Sequence, residues 1–340
     1  MSFIIIISLY LATSILLKNS IVFFERFKIL DHPSKRSNHN FPKPKGAGLI
    51  LIPLLIFATL LVFFLEDIIN SQWIVILGFC SILMFISLLD DLKNVSLKLR
   101  LMFQVFCVIS SIILLKDDFN IYFKSMEVDI WKGIYVEIIQ VIVLFLFATF
   151  WVWIINLFNF MDGMDGITVV QASSLAICSN YLAILGLIEI NFLYFSLIIL
   201  AILMAFFSVN KPPAKIFLGD VGSIPIGFLA GYLIIYNEIK SDLFIPFIII
   251  KMYYLLDSSI TLVLRFFKRE NIFEAHSSHF YQKIIRKGFS HNYVLKRIIG
   301  LNIVLLVLSY TSIQWPTISI ITAIALTISL LLFFEFRKQK

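Results

Sequence analysis

Residues 141–166 read VIVLFLFATFWVWIINLFNFMDGMDG. An apolar run of the length needed to cross a membrane as a helix, about 20 residues, ends there in Asn156, Asn159, Asp162 and Asp165. Gly163 and Gly166 directly follow the two acids, so the backbone can bend away while both carboxylates stay near the helix end. The C-terminus of a helix is partly negative, and carboxylates gathered there are unfavourable unless a cation is bound or water is plentiful. The stretch therefore reads as a membrane span with a polar site at one end.

Composition extends that reading to the whole chain. Of 340 residues, 60% are hydrophobic and only 14% charged, against roughly 25% charged in a soluble globular domain. Further apolar runs lie at about 2–24, 48–65, 73–89, 99–115, 167–186, 192–209, 223–236, 243–263, 294–311 and 317–335. With the run ending at 155 they predict eleven spans. Strands of a transmembrane barrel alternate over only about ten residues, whereas a helix satisfies its own backbone within each continuous run. The expected fold is all-α, a polytopic integral membrane helical bundle of about 11 transmembrane helices forming one domain over 1–340. No basic segment or small-residue cleavage site marks the first run as a signal peptide, so it reads as a retained span. Cys80, Cys107 and Cys178 all fall inside apolar runs without paired spacing, which makes them small buried residues. Ser223, Gly227 and Gly231 recur every four residues, a smooth face for close helix contact.

Loop charge sets the orientation. Segments 25–47, 90–100, 208–222, 264–297 and the tail after 335 carry 22 Lys and Arg, and the alternate loops carry 4. The first set is expected in the cytoplasm, with the N-terminus external and the C-terminus internal.

Four more polar breaks fall on the same side. In the first loop Lys43 and Lys45 precede Gly46 and Gly48; the cations either orient the chain or, with flexible backbone, wrap phosphate. The third run ends LLDDLKNVSLKLR. Asp90 and Asp91 repel each other at a helix C-terminus and call for a metal, a cation or proton sharing, with Lys98 and Arg100 in position to turn back toward them; a solvated helix end is the alternative. Residues 210–223, NKPPAKIFLGDVGS, place Asp220 between two glycines before a helix that Ser223 could cap. Phe217 in that loop either stacks on a base or packs against a neighbouring helix. Lys251 and Asp257 lie at membrane depth, where ionisable groups are costly and point to function, unless Lys251 snorkels to an interface. Beyond them His276 and His279 are three apart, on one face if helical, with no third nitrogen or sulfur ligand to make a zinc site.

Asp90, Asp91, Asp162, Asp165 and Asp220 thus meet basic loops at one membrane face, both halves of a phosphate site. Oxygen ligands without thiolates favour Mg²⁺ or Mn²⁺, and phosphoryl transfer asks mainly for positioning and charge neutralisation. A metal-dependent transferase acting on an anionic lipid fits. The rival is an ion-coupled transporter using the acids as a cation pathway, but transporter sites lie near the midplane, and only Lys251 and Asp257 do.

The segments LLDDLKNVSLKLRLMFQ, NLFNFMDGMDGI, PAKIFLGDVGS and EAHSSHFYQ, in that order and on alternate loops, resemble the polyprenyl-phosphate N-acetylhexosamine-1-phosphate transferases of glycosyltransferase family 4. The resemblance covers roughly residues 30–290 and implies transfer of a sugar 1-phosphate from a UDP-sugar to undecaprenyl phosphate, releasing UMP. It further implies that Asn159 and Asp220 hold Mg²⁺, with Mn²⁺ as a substitute. Asp90, Asp91 and Asp162 are then the catalytic acids, one of the first two acting on the attacking lipid phosphate. Asp165 matches the position that reads uracil and Phe217 the ring that stacks on it. Lys45, Lys98, Arg100, His276 and His279 match basic positions that contact phosphate or sugar. The expected partners are UDP-N-acetylhexosamine, undecaprenyl phosphate and membrane lipid, with no nucleic acid and with a homodimer allowed. A multi-pass protein of the inner (plasma) membrane follows, with its active site cytoplasmic. Two departures stand out: GAG where many relatives have three glycines, and AHSSH where the close pattern is AHRSH. The HSSHFYQ form is more similar to initiators of O-antigen and capsule than to the branch that makes lipid I from UDP-MurNAc-pentapeptide, so a UDP-N-acetylhexosamine is the expected donor.

Overall fold

The computed structural model describes residues 2–33, 41–93, 95–126, 134–271 and 276–338. The middle of the first loop, and Glu274 and Ala275 of the EAHSSH segment, lie outside the described residues. The helices are α1 (Ser2–Arg26), α2 (Gly48–Leu65), α3 (Ser71–Lys93), α4 (Leu97–Leu114), α5 (Lys116–Met126), α6 (Ile134–Met161), α7 (Ile167–Ile184), α8 (Ile190–Asn210), α9 (Asp220–Ser241), α10 (Phe244–Phe267), α11 (Phe280–Arg286), α12 (His291–Thr311) and α13 (Pro316–Phe336). The strands among the described residues are β1 (Leu30–Asp31) and β2 (Lys43–Pro44), paired antiparallel in the first loop.

Each of the eleven apolar runs is a helix. Among the described residues ten helices are long and apolar enough to span a membrane, one fewer than expected, and the run missing from the ten is α9. Its 22 residues suffice for a crossing of about 33 Å. Its composition does not meet the same standard, because it carries Asp220, three glycines, two tyrosines, Asn237, Glu238 and Lys240. The reason is where it sits. α9 packs against α6, α3 and α2 and also touches α10, α5 and α7, and Val221 to Asn237 are all buried. A helix surrounded by protein need not be apolar for lipid's sake. The outer helices do, and side chains such as Phe145 and Leu146 on α6 and Ile321 on α13 are exposed.

The four-residue spacing on α9 makes the close contact expected of it. A Cβ on Gly231 would stand 2.2 Å from Trp151 Cδ1, and one on Gly227 would stand 2.9 Å from Ile155 Cα. The resulting approach lets Trp151 Nε1–H donate to the Phe228 carbonyl at 2.8 Å. Trp73 fills the next layer of the core, its ring 5.2 Å from that of Tyr232 and 5.0 Å from that of Phe195. Cys80, Cys107 and Cys178 are free and buried, as expected. Some hydroxyls within the spans are satisfied locally: those of Thr13, Ser87 and Ser111 each donate to the carbonyl four residues back.

Two short helices lie outside the apolar runs. α5 is polar and opens with Asp117 and Asp118. α11 follows the histidine segment, so His276 and His279 do not share a helical face: 276–278 are irregular and His279 caps α11.

Candidate active site

The MDGMDG turn closes α6 and opens α7. Gly166 is the turn's left-handed residue, φ +78°, a conformation only glycine adopts cheaply, and its N–H donates to Asn210 Oδ1 at 2.9 Å. Gly163 answers a different demand, since a Cβ there would lie 2.3 Å from the Tyr281 hydroxyl. The two aspartates that these glycines follow are held in different surroundings. Asp162 accepts a 2.5 Å hydrogen bond from the Thr168 hydroxyl. Burial pushes its carboxyl up to about 7, with the nearby Asp220 adding to the shift and Thr168 and Lys45 opposing it. Asp165 accepts from the Ala214 N–H at 2.9 Å and has His291 Nδ1 at 3.3 Å and Lys43 Nζ at 4.0 Å. Burial alone would raise it, but His291, Ala214 and Lys43 together hold it below the usual carboxylate range.

The first loop docks on the NKPPAKIFLGDVGS loop through backbone. Phe217 N–H donates to the Pro44 carbonyl, and the Phe217 carbonyl accepts from Gly46 and Ala47. A Cβ on Gly48 would meet Gly222 N at 2.4 Å, so this glycine serves the close approach of α2 to α9 more than any wrapping of phosphate. Docking brings Lys45 to Asp91 at 2.7 Å and Asp220 at 3.9 Å. Burial would lower the ammonium's pKa; Asp220 and Asp91 outweigh that and raise it. Lys43 stands 5.2 Å from the centre of the Phe217 ring.

Arg100, carried on α4, turns back as its spacing implied. Its Nη1 lies 2.5 Å from Asp90 Oδ2 and 3.2 Å from Asp220 Oδ2. Lys98 does not join it; it is exposed and outside the cavity. Asp220 is the first residue of α9, preceded by Gly219 at φ +78°, where an acid suits the helix N-terminus. The expected Ser223 cap is displaced, because the helix starts three residues earlier; Ser223 Oγ accepts instead from Asn159 Nδ2 at 3.3 Å.

These groups surround a cavity of about 240 Å³ lined by Lys45, Asn159, Asp162, Asp165, Phe217 and Asp220, among others. Asp90, Asp91 and Arg100 reach it through Lys45 and Asp220. His276 and His279 do not line it. The rings of these two lie 4.9 Å apart, and burial, with His279 and Arg265 adding, pushes His276 down to about 4. His279 is buried and donates from Nδ1 to Asp257 at 3.1 Å. Lys251 does not snorkel: it is buried, its Nζ donating to the Gln171 carbonyl at 2.5 Å and lying 5.0 Å from the Phe158 ring centre.

Four polar side chains of the lining went unpredicted: Asp31, Asn210, Gln282 and His291. Asp31 and His291 sit among cations, where one more charge is no signal. Asn210 carries one, as the amide that ends the apolar run of α8 just before a proline pair.

Among the described residues no three His, Cys, Asp or Glu side chains are grouped to hold a metal by themselves. That still suits Mg²⁺, which takes one or two carboxylates and completes its shell with water and substrate phosphate. Asp220 and Asn159 both line the cavity, and Asp162, a buried acid, lines it beside them.

Residues 73–238 match the model of a family described as glycosyl transferase family 4. A probable undecaprenyl-phosphate N-acetylglucosaminyl 1-phosphate transferase of Bacillus subtilis is 25% identical over 273 residues, covering 77% of this chain and 71% of the relative. A putative glycosyltransferase of Methanocaldococcus jannaschii is 36% identical over 106 residues, 31% of this chain and 33% of its own. A phospho-N-acetylmuramoyl-pentapeptide-transferase of Petrotoga mobilis is 26% identical over 224 residues, 59% and 64% of the two chains.

Proposed function

We propose that this chain, whose residues 73–238 match the model of glycosyl transferase family 4, moves an N-acetylhexosamine 1-phosphate from a UDP-sugar to a polyprenyl phosphate. The observation that carries the reading is the convergence of three acids, Asp90, Asp91 and Asp220, on two shared cations, Lys45 and Arg100, beside one cavity that Lys45 and Asp220 line. Such an arrangement suits a pyrophosphate, which needs both cations and a metal, at the end of a bundle that a lipid can reach from the side.

In the reaction an oxygen of the lipid phosphate attacks the sugar-bearing phosphorus of the nucleotide sugar. The bond to the uridylyl phosphate breaks, and UMP leaves with the electron pair. Mg²⁺, held by Asn159 and Asp220, would supply charge neutralisation on the pyrophosphate. Lys45 and Arg100 fix Asp91 and Asp90 in place, and one of these two acids orients the incoming lipid phosphate. Direct attack is preferred to a covalent enzyme intermediate, because among the described residues no nucleophile activated by a paired base lines the cavity. Asp165, kept ionised by His291 and Lys43, presents an acceptor suited to an imide N–H. Phe217, half-buried at the wall, offers a ring to the base. The site faces the cytoplasm, with the N-terminus outside and the C-terminus inside.

A GlcNAc or deoxy-N-acetylhexosamine donor, with a role in starting O-antigen or a related envelope polysaccharide, is the reading we favour. The Petrotoga relative supports a second donor, UDP-MurNAc-pentapeptide. Membranes containing the protein, incubated with undecaprenyl phosphate and either radiolabelled donor, are expected to yield labelled lipid and UMP from UDP-GlcNAc in the presence of Mg²⁺. Labelled lipid from the pentapeptide donor alone would move the chain to the other branch, and none from any UDP-sugar would end the transferase reading. Cysteines placed at Lys211 and at Ser278 in a cysteine-free background should resist an impermeant thiol reagent in intact cells, and one at Asp242 should react. Labelling of Lys211→Cys in intact cells would put the site on the wrong face for its substrate.

A further inference from the structure

We propose that Asp257, fully buried in α10 and outside the cavity, is a positioning residue that holds the start of α11 and thereby shapes the nucleotide-sugar end of the site. The inference rests on the transferase reading above for its functional half only.

A carboxylate with no exposed surface in a membrane-spanning helix is costly unless its oxygens are filled. Three of the five donors to Asp257 come from one distant segment. Oδ1 accepts from His279 Nδ1–H and from the Phe280 N–H, each at 3.1 Å, and Oδ2 accepts from the Tyr281 N–H at 3.4 Å. Within α10 itself only Tyr253 and Thr261 reach it, at 3.3 and 3.5 Å. Two successive backbone donors and a side chain from 279–281 thus converge on one acid 22 residues earlier in sequence. The backbone N–H groups at the first turn of a helix have no partner within the helix, and here a membrane-embedded side chain supplies one.

What this anchor fixes is the wall beside the acids. Tyr281 follows directly, and its hydroxyl occupies the space next to Gly163, between Asp162 and Asp165. Gln282 comes next and lines the cavity. Its Oε1 also accepts from the His279 N–H at 3.3 Å, so the wall and the anchor are bonded to each other. Engagement of His279 Nδ1 by the carboxylate also fixes the orientation of that ring. Asp257 touches neither the cavity nor the Lys45–Asp91–Asp220–Arg100 cluster, so its loss should act on the donor's fit and leave the acid cluster intact.

Two measurements on purified protein in detergent test the two halves. Amide hydrogen exchange over 276–286 needs no substrate: Asp257→Asn, which retains shape but has one acceptor oxygen in place of two, should exchange at least tenfold faster at Phe280 and Tyr281, and α9 should be unchanged. Unaltered exchange in that segment would overturn the anchor whatever the protein's activity. In the transferase assay, first established with the unaltered protein, Asp257→Asn should raise KM for the UDP-sugar about tenfold with KM for the lipid phosphate within twofold. Asp257→Glu should recover part of that loss. Adding His279→Gln to Asp257→Asn should cost less than a further twofold, since both act through one contact. Faster exchange with an unchanged donor KM, or equal losses on both substrates, would leave Asp257 a packing residue. If the unaltered protein shows no turnover, the transferase reading fails and the exchange result still decides the anchor.

Discussion

The two ends of α9 carry similar residues and use them differently. At its far end Glu238 accepts from the Tyr122 hydroxyl at 3.1 Å and the Phe244 N–H at 2.9 Å. Lys240 pairs with Asp118 at 2.6 Å, and Gln72 donates to the same acid at 3.0 Å. Glu189, beside them, accepts from Tyr236 and Asn191. Each of these three acids, Glu238, Asp118 and Glu189, has donors of its own. About 33 Å away along the helix, Asp90, Asp91 and Asp220 divide two cations among three carboxylates, and among the described residues Asp162 accepts a hydrogen bond from a hydroxyl alone. A closed cluster is complete without a ligand and holds the fold. A cluster short of positive charge around a cavity is arranged for something that brings it.

The difference should be largest in turnover. Asp220→Ala removes the acid shared by both cations and proposed to hold Mg²⁺, charge stabilisation worth several kcal/mol of barrier. The expected kcat is below a tenth of the unaltered protein's in saturating Mg²⁺, with the folded fraction in membranes unchanged. Since 1.4 kcal/mol is already tenfold in rate, a variant above that level would break the contrast between the two ends.

Phe217→Ala should act on binding. Base stacking is worth roughly 1–3 kcal/mol, so KM for the UDP-sugar should rise about tenfold or more with kcat changed less. An unchanged KM would give Phe217 back to packing, a role its backbone already has in tying the first loop to α9.

At the far end the same kind of deletion should read out in stability alone. Asp118→Ala leaves Lys240 and Gln72 without their carboxylate, a cost of about 1–3 kcal/mol. A lower thermal midpoint is expected, with kcat and both KM values within twofold. A large loss of turnover with an unchanged midpoint would mean that the two ends are coupled.

How much of this was legible in the sequence follows from the range over which each signal acts. Membrane spans are local and long, so every apolar run became a helix. The one that failed an apolar standard, α9, did so because its neighbours cover it, which no window along the chain reports. The acids at span ends were legible as misplaced charge, and Arg100 as the cation ten residues beyond Asp90. Asp257 and His279 were each noticed singly, but their contact joins α10 to the segment after it, and nothing in either stretch announces the other. His291 could not be told from the surrounding basic residues until the fold set it against Asp165.

The smallest expected effect belongs to Lys98, and it sharpens the comparison from within the site's own loop. Lys98 and Arg100 are two residues apart on the first turn of α4, a separation that turns side chains to different sides of a helix. Arg100 points back to Asp90 and Asp220, whereas Lys98 is exposed and outside the cavity. A solvated cation at that distance is screened and contributes little. Lys98→Ala should therefore keep kcat and the donor KM within twofold, and Arg100→Ala should not, because it would take the cation from Asp90 and leave Asp220 with Lys45 at 3.9 Å. If Lys98→Ala instead lost activity in step with Arg100→Ala, position in a basic loop would matter more than reach into the cavity. The charge deficit at that end of α9 would then have to be counted over the whole membrane face.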